Sequence, residues 1–134
     1  MVLNQIQETY NKIAGEFSVS RRNLVQDYHL FRPYLKDQRK IVDLGCGNGR
    51  IVDLLKQTLS DFDYVGIDNS VALLDQARAT FADQRFIFGD QLKIPLDNAS
   101  SDLIFNVRAF HHLPTHDLMR QSLKEMQRVL QDDG

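Results

Sequence analysis

Ten residues, Ile41-Val42-Asp43-Leu44-Gly45-Cys46-Gly47-Asn48-Gly49-Arg50, constrain this chain more than any other stretch. A short apolar, β-branched run leads into three glycines at alternate positions, and Ile51, Val52, Leu54 and Leu55 then fall at helical spacing. A buried strand, a tight turn and a helix start therefore follow one another directly. Glycine lets the backbone take positive φ and lets a ligand come close to the main chain. Amides at the start of the new helix suit a polar or anionic group. The stretch predicts a nucleotide-type ligand site at the carboxyl end of a parallel strand. A dinucleotide fingerprint starting at Gly45 would need a glycine at position 50, where Arg50 stands. A glycine-rich turn without a ligand is the plain alternative.

The rest of the chain reads as the frame for that turn. Its 134 residues suit one domain, with a helical leader over 1–38 and a sheet core over 39–134. Leu3, Ile6, Tyr10, Ile13 and Phe17 have the spacing of an amphipathic helix over residues 2–17. Leu24, Tyr28, Phe31 and Leu35 predict a second helix from Ser20 to about Leu35, with Pro33 ending or kinking it. Residues 62–68 read as a second strand that ends on an acid, Asp68, 19 residues after Gly49. A carboxylate at such a strand tip can accept hydrogen bonds from both hydroxyls of a ribose, and an unpaired surface acid is the alternative.

Asn69-Ser70 starts a helix carrying Val71, Leu74, Ala77 and Phe81. Residues 85–90 form a third strand running into the turn Gly89-Asp90, residues 94–100 a loop, and residues 103–107 a fourth strand. Thr115 is the expected cap of a last helix with Leu118, Met119, Leu123, Met126, Val129 and Leu130 inward. The order predicts an α/β fold with a parallel sheet and right-handed crossovers.

Charge and cysteine usage exclude several classes. The formal charge of −2 argues against a uniformly nucleic-acid-binding surface. It hides an asymmetry: residues 1–40 carry seven Lys and Arg against four Asp and Glu, net +3, and the remainder is net −5. The basic leader could meet a polyanion, and solvated helix faces explain it as well. The single cysteine, Cys46, cannot form an intrachain disulfide and fits a reducing compartment. No run approaches transmembrane length and no signal-peptide core is present, so a cytoplasmic location is the expectation.

The run Asp-Leu-Gly-Cys-Gly-Asn-Gly, residues 43–49, resembles motif I of the class I S-adenosylmethionine (SAM)-dependent methyltransferases. In that family the loop wraps the methionine part of SAM. Residues 10–17, Tyr-Asn-Lys-Ile-Ala-Gly-Glu-Phe, resemble the leader whose helix lies over the cofactor, where Tyr10 could touch it or could simply pack in the core. Gly89-Asp90 resembles the motif whose acid meets the adenine amine. The resemblance implies a Rossmann-like, doubly wound parallel sheet and SAM as cofactor, and with no Cys/His cluster at metal spacing no metal is expected. The cofactor contacts it implies are Tyr10, Asp43, Gly45, Cys46, Gly47, Gly49, Asp68, Asn69, Gly89, Asp90, Gln91 and Asn106. Methyl transfer from a sulfonium is an in-line displacement, in which the protein mainly positions the two reactants. His111, His112 and Asn106 are the candidate catalytic residues, the histidines to orient substrate or take a proton. Packed or solvent-facing histidines are the other reading. Cys46 reads as a small packing residue of the loop rather than a nucleophile.

Cys-Gly-Asn-Gly, Gly-Ile-Asp-Asn-Ser and Phe-His-His look most like the tRNA wobble-uridine carboxymethyl methyltransferases, though small-molecule and quinone-biosynthesis methyltransferases share similar motifs. The resemblance implies a methyl-acceptor substrate, with tRNA the candidate, and no membrane. There are departures. Asn106 and Arg108 stand where relatives have small residues, Ser101 replaces an aromatic, and Gln131-Asp132-Asp133-Gly134 replaces a Pro-Gly-Gly ending. Relatives have seven strands, so the chain is expected to be truncated after the fourth strand and its helix. Self-association or a partner chain at the fourth strand follows as an expectation. The rival functions are a SAM-binding module without catalysis, or one that depends on a partner, and a nucleotide-sugar or NAD-binding domain.

Overall fold

Strand β1, Lys40–Leu44, is buried at every residue after Lys40, a condition met only where both faces of a sheet are covered. The computed structural model describes residues 2–14 and 28–134. In it β1 is flanked by two parallel neighbours, β2 (Asp63–Asp68) and β4 (Leu103–Phe105), with β3 (Arg85–Phe88) outside β2. The order is β3-β2-β1-β4, and Val42 sits opposite both Val65 and Ile104. Alternate residues feed two cores. Ile41, Tyr64, Phe86 and Phe105 pack on one face against α2 (Ile51–Thr58) and α3 (Val71–Thr80). Val42, Leu44, Val65 and Ile67 pack on the other face against Met126 and Val129 of α4 (His116–Val129). The sheet is thus doubly wound. Its strand order reverses between β1 and β4, and a crevice opens at the carboxyl ends of a sheet where that happens.

β4 is shorter than the apolar run suggests. It ends at Phe105, paired with Asp43, so Asn106 and Val107 lie beyond the strand. Thr115 caps α4 as expected, accepting a hydrogen bond from Leu118 N at 3.2 Å. Leu123, expected inside, is 54% exposed, and Ser122 is buried in its place. On α3, Val71 is half exposed, and Leu73, Leu74 and Ala77 are the buried residues.

Helix α1, Val2–Lys12, lies across the start of α3. Asn11 Oδ1 accepts from the Ser70 hydroxyl at 2.6 Å, while Ser70 Oγ caps α3 through Leu73 N. The Gln7 amide donates to the Asn69 carbonyl one turn earlier. Ile6, Gln7, Tyr10, Asn11 and Ala14 form the inward stripe, and Ile13 is 37% exposed outside it. The expected continuation of this helix to Phe17, and most of the second leader helix, lie outside the described residues. The described end of the latter, His29–Tyr34, is a 3-10 helix containing Pro33, consistent with a ring that fixes φ and removes a donor.

The loop between β3 and β4 is held by α4. Arg128 makes a two-point contact with Glu125 at 2.8 and 2.9 Å. Its remaining N–H groups reach the carbonyls of Ile94 and Leu96 and Oδ1 of Asn98. Glu125 in turn accepts from Ile94 N at 2.8 Å. Among the described residues no helix is long and apolar enough to cross a membrane.

Candidate functional site: the cleft at the β1–β4 switch point

A cleft opens where the topology places one. Its floor is the Gly45–Gly47 turn and its walls come from the ends of β2, β3 and β4, with Ile6 and Tyr10 of α1 above. Gly45, Gly47 and Gly49 all take positive φ, at 79°, 55° and 80°, a region that favours glycine. The space freed by Gly45 is used by the chain itself, since a Cβ there would meet the Ala109 Cβ at 2.4 Å. At Gly49 a Cβ would strike the Phe86 ring at 2.8 Å.

The turn does not present its amides to the cleft. Gly45 N and Cys46 N both donate to the Ile67 carbonyl, at 2.7 and 3.0 Å. Gly49 N donates to the Cys46 carbonyl, and Gly47 N to Asp68 Oδ2 at 2.8 Å. A pyrophosphate cradle needs such amides aimed at the ligand. This arrangement therefore suits a ligand without phosphate.

Of the residues expected at the cofactor, Tyr10, Gly45, Gly47, Asp68, Asn69, Gly89, Asp90 and Gln91 line the cleft. Asp68 is held from behind by Gly47 N and by Ser70 N, each at 2.8 Å. Asp90 Oδ1 accepts from Leu92 N at 2.8 Å, which shapes its turn. The Gln91 amide donates to the Ala109 carbonyl at 3.2 Å and so ties the loop after β3 to the loop after β4.

Asp43, Cys46, Gly49 and Asn106 do not line the cleft. Asp43 points to the α2 face of the sheet, where it is buried and accepts from the Tyr64 hydroxyl at 2.9 Å. Burial, with the Asp43 charge beside it, pushes the Tyr64 hydroxyl well above its ordinary pKa. Cys46 packs in the same core, and burial, reinforced by Asp43 and Asp68, raises its thiol likewise; a thiol so raised is a poor nucleophile. Asn106 stands behind the cleft, its amide donating to Gln91 Oε1 at 3.2 Å while its own Oδ1 is buried without a hydrogen-bond partner.

Of the candidate catalytic histidines, His112 lines the cleft and His111 is exposed beside it, the two rings 4.0 Å apart. His112 Nε2 and the Tyr10 hydroxyl lie 2.6 Å apart, so the leader helix and the loop after β4 meet across the opening. Six lining residues lie outside the expected set: Ile6, Leu44, Ile67, Leu73, Arg108 and Ala109. Arg108 has φ +60°, and nothing in the sequence signals a left-handed arginine. Among the described residues no group of three or more His, Cys, Asp or Glu is placed to hold a metal ion.

The sequence pattern of the methyltransferase-domain family matches residues 41–134, which hold the sheet from Ile41 onward and all of the cleft lining except Ile6 and Tyr10 of α1. This chain belongs to the methyltransferase-domain family. A methyltransferase of Encephalitozoon cuniculi is 34% identical over 96% of this chain and 58% of its own length. The tRNA (carboxymethyluridine(34)-5-O)-methyltransferase of Mus musculus is 28% identical over 96% of this chain and 18% of its own. Among solved structures, a chain of the complex between the Haloferax volcanii Trm112 methyltransferase activator and a methyltransferase superposes with a TM-score of 0.76. It is 23% identical and is matched over 91% of this chain and 55% of that one, a likeness of fold. The methyltransferase domain described here spans little more than half the length of the first of these relatives.

SAM is the cofactor of such a domain, and the cleft has the features to take it. Asp68 stands at the tip of β2, Asp90 and Gln91 stand after β3, and the amides of Gly45, Cys46, Gly47 and Gly49 are bonded within the chain.

Proposed function

We propose that this chain binds SAM in the cleft and carries out methyl transfer, with a tRNA wobble-uridine side chain as the candidate acceptor. In this reading the methionine part lies on Gly45 and Gly47, the ribose hydroxyls donate to Asp68, and the adenine amine donates to Asp90 with Gln91 beside it. Asn69 and Gly89 border the adenosine, and Tyr10 covers it from α1. Bound SAM supplies a methyl group on a sulfonium, open to in-line displacement. The chain's own residues then have to align an acceptor and exclude water. A carboxylate acceptor needs no proton removed. For a hydroxyl or amine acceptor, the proton in this reading goes to His112, which lines the cleft and faces Tyr10. The site is read as working in the cytoplasm.

The observation that carries this reading is Asp68, fixed at the rim of the cleft by two backbone amides while Gly45 and Cys46 turn their own amides to Ile67. Calorimetry with S-adenosylhomocysteine tests it. Asp68→Ala is expected to lower affinity roughly ten- to a hundred-fold, the loss of charge-assisted hydrogen bonds of about 1.5–3 kcal/mol. An unchanged dissociation constant, or tighter binding of NAD than of S-adenosylhomocysteine by the wild type, refutes it. The tRNA acceptor is supported by the name of the mouse relative and is tested by transfer of a radiolabelled methyl group to bulk tRNA.

A second reading, a SAM-binding module that needs a partner, is favoured by the outer position of β4 in the sheet. Cofactor binding without turnover on tRNA or on small acids would select it.

A further inference from the structure

We propose that Arg108 holds the carboxylate of the amino-acid end of the cofactor. The inference rests on the SAM reading and goes beyond it, because that end of SAM bears a carboxylate which the glycine turn does not serve. The amides of Gly45, Cys46, Gly47 and Gly49 are all bonded within the chain. The two carboxylates lining the cleft, Asp68 and Asp90, would repel a third. Among the described lining residues Arg108 alone carries a permanent positive charge.

Its position agrees with this role. Arg108 directly precedes Ala109, whose Cβ rests on Gly45, so its backbone stands over the part of the turn that takes the amino-acid end. Its φ of +60° is uncommon for a residue with a Cβ. Such outliers persist where the surroundings over-determine them, and they cluster at ligand sites. The surroundings here are explicit. Ala109 is fixed on one side by its contact with Gly45 and on the other by the Gln91 amide on its carbonyl. Arg108 is therefore kept in the left-handed region at the edge of the cleft. A guanidinium is also well matched to a carboxylate, which it can bind through two parallel N–H donors.

The test is calorimetry on the 134-residue chain with two probes, S-adenosylhomocysteine and 5′-methylthioadenosine, which keeps the adenosine and thioether but lacks the amino acid. Arg108→Gln and Arg108→Gly are expected to weaken S-adenosylhomocysteine by roughly ten- to a hundred-fold and to leave 5′-methylthioadenosine within about twofold. Arg108→Gly should also melt at a higher temperature than Arg108→Gln, because glycine relieves the left-handed backbone. That shift shows the variant is folded while its selectivity for the amino-acid end is lost. Unchanged affinity for S-adenosylhomocysteine in both variants, or equal losses for the two probes, overturns the role of Arg108 and leaves the SAM reading standing. A wild type that binds neither probe overturns both.

Discussion

Single residues in the turn after β1 do two jobs, and packing is the more demanding. Gly45 and Gly49 combine positive φ with a neighbour inside contact distance, Ala109 in one case and Phe86 in the other. Gly45→Ala is therefore expected to destabilise the fold by about 2–4 kcal/mol, the sum of left-handed strain and overpacking, read as a lowered urea midpoint. An unchanged midpoint would mean that Ala109 can retreat freely. Cys46 gives a second readout at this scale. Its thiol is buried and its pKa is raised by that burial, with Asp43 and Asp68 adding to the effect. Iodoacetamide should label Cys46 only at the rate of unfolding, and rapid labelling of the native chain would contradict its placement.

At the scale of elements, α4 acts as a clamp on the loop that follows β3. Arg128 satisfies two loop carbonyls and Asn98 while it pairs with Glu125, and Glu125 accepts from Ile94 N. Arg128→Ala removes these bonds together and should cost about 2–4 kcal/mol, more than the loss of a surface ion pair. The same clamp has a pH signature. The Arg128 hydrogen bonds hold the Glu125 carboxyl below its ordinary value of 4.5, so the folded chain binds this proton less readily than the unfolded one. The stabilisation is fully present above that ordinary value and is lost as the pH falls through the lowered one. The stability difference between wild type and Glu125→Gln, followed by urea melts from pH 7 to pH 3, should therefore shrink in the acid range. A difference independent of pH would show that Glu125 contributes no charge-dependent stability.

At the scale of the whole molecule, β4 lies at the margin of a parallel sheet with β1 on one side only. Its residues Leu103, Ile104 and Phe105 carry no charge to discourage pairing. We propose that this margin pairs with a further strand, from a second copy or a partner chain. Light scattering coupled to size exclusion should show the 134-residue chain above monomer mass at micromolar concentration, and a clean monomer argues against the idea. The strands, α2, α3 and α4 were legible in the sequence because a strand covered on both faces is apolar throughout and a helix covered on one is apolar at every third or fourth residue. Asp68, Asp90 and the glycine turn were legible for a related reason: each lies at the end of such a strand, where chain direction alone points it to the cleft. Periodicity could not say where the turn's amides go, because the carbonyl that takes two of them belongs to Ile67 on another strand. Nor could it separate Leu123 from Ser122, since helix rotation about its axis is set by the surface it meets. The contacts of Tyr10 with His112 and of Gly45 with Ala109 join residues far apart in the chain. They exist only once the sheet has brought the leader, the turn and the loop after β4 to one place.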